Sequence, residues 1–258
     1  MGQERIIHAA LLGAGTVGSG VYKLVKDLEE EIISKTGARL VVDKILVRDT
    51  TKAREGIPSE LLIDRWDEIL NDPQIEIVIE VMGGIRPALT WLEEALRAGK
   101  QVVTANKDLL AEYGEQLFDA AEAGKCDLHF EAAVAGAIPI IRPLRQSLAA
   151  SELTEVMGIV NGTTNYILTR MTEDGMGYEE ALALATKLGY AESDPTADVE
   201  GYDAGRKVAI MASIAFNSNV TFSQVYTEGI THITAEDIRY AKEFGYVIKL
   251  IGMTRLTE

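Results

Sequence analysis

Apolar residues along the first half of the chain recur in two alternating periods. Short apolar or β-branched runs at 6–12, 40–47, 75–81, 101–104 and 127–131 read as buried strands. Between them, 17–33, 87–98 and 109–123 carry apolar residues at helical spacing. The first of these stretches ends in the acidic run Glu29-Glu30-Glu31. Pro87 suits the first turn of the second, and Gly99 stops it. Strands alternating with helices of about 10–15 residues predict βαβ units, hence a doubly wound parallel sheet covered on both faces. Beyond about residue 150 the pattern changes. A strand at 154–160 leads into helices near 165–173, 178–188 and 203–216, with a loop at 189–201, a further helix at 234–244 and a strand at 246–253. The chain therefore divides into a first domain, 1–150, and a second, mixed α/β domain, 151–258, with no Pro/Gly/Ser linker between them.

Chemistry enters directly after the first strand. Gly13-Ala14-Gly15-Thr16-Val17-Gly18 is a GxGxxG turn that opens the first helix. In that context Gly13 permits the tight turn, Gly15 lets a pyrophosphate approach the backbone, and Gly18 allows close helix–strand packing. The helix N-terminus then offers free N–H groups and partial positive charge to the phosphates. The first domain is thus expected to be a Rossmann-type dinucleotide-binding domain. The second strand ends at Val47-Arg48-Asp49. An acid there suits a ribose 2′-hydroxyl and NAD; an arginine suits a 2′-phosphate and NADP. Both are present, and Lys52 and Arg54 follow closely, so the local cation surplus tilts the expectation to NADP.

In the second domain, Asn161-Gly162-Thr163-Thr164-Asn165-Tyr166 combines a turn with N-cap residues for the next helix. Further on, Asp203 and Lys207 stand four apart on one helical face, and Ile210 and Ile214 continue the same stripe. The charged pair therefore lies on the inward stripe, where a buried acid and lysine must be paired or functional. The three histidines, His8, His129 and His232, fall in two strands and a late turn, outside any polar cluster, and read as structural. No His or Cys pair has zinc-ligand spacing, and Cys126 reads as a small apolar residue.

Composition limits the partners. The 258 residues are 47% hydrophobic and 25% charged, which excludes a largely disordered chain. No stretch approaches the roughly 18 apolar residues of a membrane span, and the start MGQERIIHAALL lacks the layout of a secretory signal. A single cysteine requires no oxidising compartment, so a cytoplasmic location is expected. Net charge is −15, from 25 Lys+Arg against 40 Asp+Glu, a field that repels nucleic acid and anionic membrane. The expected partner is a small molecule.

The motifs TANK (Thr104–Lys107), EAAVAGAIPII (Glu131–Ile141), NGTTNYIL (Asn161–Leu168) and GYAESDPTADVEGYDAGRK (Gly189–Lys207), together with GAGTVG, resemble homoserine dehydrogenases over almost the whole chain. The resemblance implies interconversion of aspartate 4-semialdehyde and homoserine with NAD(P), on the route to threonine, isoleucine and methionine, by a homodimer or higher homo-oligomer. It implies Lys207 as proton donor and Lys107 as a lysine between nicotinamide and substrate. It implies Glu192, Asp203, Asp198 and Thr163 as substrate-binding residues and Gly189 as a cofactor contact. It also implies a structural sodium ion on the backbone carbonyls of Glu131, Val134, Gly136 and Ile138. In the family the catalytic unit normally continues past the equivalent of residue 258, and many members add a regulatory ACT domain. The last strands of the substrate domain are therefore expected outside these residues. Two other readings stay open on the residues alone: another Rossmann amino-acid dehydrogenase, and a non-enzymatic dinucleotide-binding regulatory subunit.

Overall fold

A computed structural model describes residues 5–257. The chain forms two compact units that meet at Ala133/Val134. The sequence pattern places the division at 150 instead. The intervening segment belongs with the second unit, where its π-helical turn Pro143–Ser147 packs on a helix of that unit.

The first unit runs β1 (Arg5–Leu12), α1 (Thr16–Asp27), α2 (Glu29–Thr36), β2 (Ala38–Leu46), β3 (Leu62–Ile63), α3 (Asp67–Leu70), β4 (Ile75–Glu80), α4 (Ala88–Arg97), β5 (Gln101–Thr104), α5 (Lys107–Gly124) and β6 (Leu128–His129). The strands pair in the order β3-β2-β1-β4-β5-β6, every pair parallel. This is the doubly wound sheet that the alternation predicts. β1 is central, and its last four residues, Ala9 to Leu12, are fully buried. That explains why the run carries no polar alternation. The continuous helix expected over 17–33 is broken at Leu28, whose φ of −107° and ψ of 21° leave the helical region. The strand expected over 127–131 shortens to two residues, because Glu131–Ala133 turns into a 3₁₀ helix.

The second unit carries β7 (Glu155–Gly158), α6 (Gly162–Asp174), α7 (Tyr178–Lys187), α8 (Thr196–Val199), α9 (Tyr202–Ala215), α10 (Ala235–Glu243) and β8 (Gly252–Arg255). β7 and β8 form an antiparallel pair. Ile167, Leu168 and Met171 of α6 pack with Ala181 and Ala185 of α7 and Ile238 of α10 to make its core. α8 interrupts the segment expected to be loop. The strand expected over 246–253 pairs only from Gly252 onward; upstream, the Asn165 side chain holds both backbone groups of Leu250. Among the described residues no helix is long and apolar enough to cross a membrane.

Candidate functional site

The sheet order reverses between β1 and β4, and ligands of such sheets bind at the carboxyl ends of the strands flanking that point. A cavity of about 920 Å³ lies there. Gly13, Ala14 and Gly15 after β1, Leu46 to Asp49 around the end of β2, and Val81 to Gly83 after β4 line it. Lys52, Arg54, Asp64, Arg86, Pro87 and Trp91 complete the wall. The glycines behave as their spacing predicts. Gly13 has φ of 99°, and a Cβ on Gly18 would stand 2.1 Å from the Gly13 carbonyl oxygen. α1 has no side-chain cap and no acid in its first turn, whereas α2 begins with three glutamates. The N-terminus of α1 thus keeps its positive end for an anion.

Arg48, Lys52 and Arg54 share the wall with the glycine turn. Arg54 is braced on the backbone carbonyls of Asp49 and Lys52 (3.1 and 2.8 Å). Asp49 Oδ1 accepts from the amide and hydroxyl of Thr51 (2.9 and 2.6 Å), and these bonds hold its carboxyl below the usual range. Trp91 stacks on Trp66 with centroids 5.6 Å apart and planes 19° apart, and Trp66 Nε1 donates to Glu94 (2.6 Å). Thr16, Val17 and Gly18 form the first turn of α1 rather than the cavity wall.

Lys107 opens α5, one residue after the N-cap Asn106, whose side chain accepts from Leu109 N. A cation in a first turn opposes the helix dipole. The turn before it is tied down by a fully buried acid that composition and spacing do not single out. Glu80 Oε2 accepts from Thr104 Oγ1 (2.6 Å), while its Oε1 accepts from the amides of Met82 and Gly83 (2.8 and 3.1 Å). Asn106 also donates to Gly84 O (2.6 Å). One network therefore fixes both the loop lining the cavity and the turn presenting Lys107.

In the second unit, Asp203 lies on the inward stripe of α9 and is 5% exposed. Lys207 Nζ donates to Asp203 Oδ2 (2.5 Å) and to Val160 O (2.8 Å). Asn161, the N-cap of α6, donates to Asp198 Oδ1 (2.6 Å) and Asp203 Oδ2 (2.9 Å). Thr163 Oγ1 donates to Tyr190 O (2.7 Å), tying α6 to the 189–195 loop. The structure thus gathers Asp198, Asp203 and Lys207 around Asn161, which the sequence marks only as a helix cap. Glu192 and Gly189 stay exposed on their loop, outside that cluster. Of the histidines, His8 pairs with Asp43 (2.6 Å) and the others are exposed.

Along 131–138, Ala135 and Ala137 are left-handed (φ 50° and 67°), a strained state for alanine. The Ala135 carbonyl is taken by Ile138 N (2.7 Å). Among the described residues no cluster of three or more His, Cys, Asp or Glu could hold a metal ion.

A switch-point cavity with a glycine turn and a cationic wall defines a dinucleotide-binding α/β protein that carries an acid–lysine cluster on a second unit. Comparison with known proteins makes this specific. Residues 13–131 match the family model "Homoserine dehydrogenase, NAD binding domain", and 139–257 match "Homoserine dehydrogenase". The homoserine dehydrogenase of Bacillus subtilis is 47% identical over 252 residues, covering 97% of this chain and 58% of its own length. The crystal structure of a homoserine dehydrogenase from Thiobacillus denitrificans superposes with a TM-score of 0.92 at 45% identity, over 98% of this chain and 59% of that one. A protein provisionally named a homoserine dehydrogenase, from Archaeoglobus fulgidus, is 34% identical with a TM-score of 0.84, over 96% of this chain and 80% of that one. The chain belongs to the homoserine dehydrogenase family, and it spans somewhat over half the length of the curated relatives it matches.

Proposed function

We propose that the protein interconverts L-homoserine and L-aspartate 4-semialdehyde, a step toward threonine, methionine and isoleucine, with NADP preferred over NAD. The observation that carries the reading is the pair of buried Asp203 and part-buried Lys207, braced by Val160 and Asn161, on the second unit of a chain in this family. When bound to the first unit, the reduced dinucleotide supplies hydride to the aldehyde carbon. Lys207 holds a proton at Nζ and delivers it to the aldehyde oxygen as negative charge develops there. In the oxidation direction the Nζ takes the hydroxyl proton back. Lys107 contributes fixed positive charge. The substrate's ammonium group requires carboxylates; Asp198 and Asp203 of the cluster and Glu192 on the exposed loop are assigned to it, together with Thr163, whose hydroxyl donates to Tyr190 O on that loop. Gly189 is assigned to the cofactor.

The preference for NADP is supported by Arg48, Lys52 and Arg54 on the cavity wall and by the engagement of one Asp49 oxygen with Thr51. The carbonyls of Glu131, Val134, Gly136 and Ile138 are assigned to a structural sodium ion, which the alternating left-handed alanines support. An exposed apolar face on the small sheet, where Met157 pairs directly with Met253, supports assembly as a homodimer or higher oligomer. A cytoplasmic location rests on the single cysteine.

The test is turnover of homoserine with NADP by wild type and Lys207→Ala. General acid–base catalysis contributes about 10²–10⁴-fold, so kcat should fall by that order while NADP affinity holds. A folded Lys207→Ala protein with kcat close to wild type refutes the assignment.

A further inference from the structure

We infer that Asn161 is a positioning residue that sets the carboxylates of Asp198 and Asp203 for the substrate's ammonium group, an inference that rests on the homoserine reading above. A primary amide has two hydrogens to donate and two lone pairs to accept with. Asn161, 5% exposed, uses all four. Its oxygen accepts from the amide and hydroxyl of Thr164 (2.9 and 2.7 Å). Its nitrogen donates once to Asp198 and once to Asp203.

The two halves of the side chain serve different ends. The oxygen caps α6, a role that serine or aspartate fills equally well. Only an amide adds two donors on the other side. Those donors reach residues 37 and 42 positions further along the chain, one in α8 and one in the first turn of α9. Two like-charged groups that would otherwise repel are thereby held on one neutral group, which can donate to both but cannot accept from either. Asp203 Oδ2 is shared between Asn161 and Lys207, so the same amide also fixes the acid that orients the proton donor. Asp198 accepts from the amide through Oδ1 and is partly exposed. The Asn161 backbone carbonyl accepts from the Asn165 side chain (3.0 Å), so the N-cap is pinned from its own helix as well.

The test compares Asn161→Ser and Asn161→Asp with wild type in the full chain. Both replacements keep a capping oxygen and remove the amide donors. Asn161→Asp also places a third carboxylate against the two already there. Loss of a hydrogen bond to a charged group corresponds to about 10- to 100-fold. KM for homoserine should therefore rise by about that factor in Asn161→Ser and further in Asn161→Asp. kcat should fall by less than KM rises, and NADP affinity should stay put. Asp198→Ala removes the partly exposed end of the 2.6 Å bond. Combined with Asn161→Ser, it should raise KM by less than the product of the single effects. Wild-type KM in Asn161→Ser, or multiplicative effects in the double variant, overturns the positioning role and leaves the substrate reading intact. So does a variant in which KM, kcat, NADP affinity and melting temperature all deteriorate together, the signature of a structural cap alone. A wild-type protein that neither binds nor turns over homoserine defeats the substrate reading and takes the positioning role with it.

Discussion

Gly15 and Gly18 sit in the same turn, and the same added methyl group should act on them in opposite ways. On Gly18 a Cβ would stand 2.1 Å from the Gly13 carbonyl oxygen and 2.9 Å from its carbon, both backbone atoms that no rotamer change can move. Relief requires the turn and α1 to separate by roughly 1 Å in a region packed at crystal-like density. Overpacking of this kind costs about 1–3 kcal/mol. The movement also strains the bond from Gly13 N to Leu46 O, which is 2.9 Å long. On Gly15 a Cβ meets nothing within 4 Å, and the φ of −81° is open to alanine. Gly15→Ala should leave stability unchanged, or raise it by about 0.4–1 kcal/mol through the stiffer unfolded chain. The methyl would nevertheless project where a pyrophosphate must come down onto the backbone. Losing one charge-assisted hydrogen bond there costs about 1.5–3 kcal/mol, a 10- to 100-fold drop in dinucleotide affinity. Urea denaturation and NADP calorimetry on both variants separate the two effects. A Gly18→Ala protein as stable as wild type, or a Gly15→Ala protein that binds NADP normally, would falsify the reasoning.

Two further outcomes follow from the first unit. Arg48→Ala should weaken NADP binding by about 1.5–3 kcal/mol and NAD binding much less, because the lost bond goes to the 2′-phosphate; equal losses for the two cofactors in calorimetry would remove Arg48 from that role. Burial, with the neighbouring Asp127 charge, pushes the Cys126 thiol above its ordinary value. The reactive thiolate therefore appears only at higher pH, and alkylation by iodoacetamide near pH 8 should run slower in the folded protein than in urea; equal rates in the two states would contradict the burial argument.

Local signals carried most of the fold. The glycine turn and the alternation of periods are properties of neighbouring residues, and β1, β2, β4, β5 and α4 all lie close to where that spacing puts them. What failed was whatever depends on a distant partner. β3 is two residues long and exists only because Leu62 and Ile63 meet the end of β2. The apolar run 246–253 has every local mark of a strand, yet most of it pairs with no strand among the described residues. Leu28 breaks the expected helix although no glycine or proline stands next to it. In the site, Asp203 and Lys207 were legible because a charged pair on an apolar stripe violates the helical pattern. Asn161 was not, because a cap explains an asparagine at that position without remainder. Its second pair of contacts is tertiary. Glu80 hides for the same reason: its alternation fits a strand end, and only the fold brings Thr104 and the 82–84 loop to it.

The stacked tryptophans have an optical consequence. Trp66 and Trp91 are the only tryptophans in the chain, and they form one ring pair in the first unit, of which Trp91 lines the cavity. The second unit is therefore dark at tryptophan wavelengths. Native emission reports a single location: the rim of the dinucleotide cavity. Quenching by a bound dinucleotide and the shift on unfolding of the first unit can both be followed without a label. Coupled indoles at this spacing also give a paired circular-dichroism band, so separation of the rings would register even where total emission does not change.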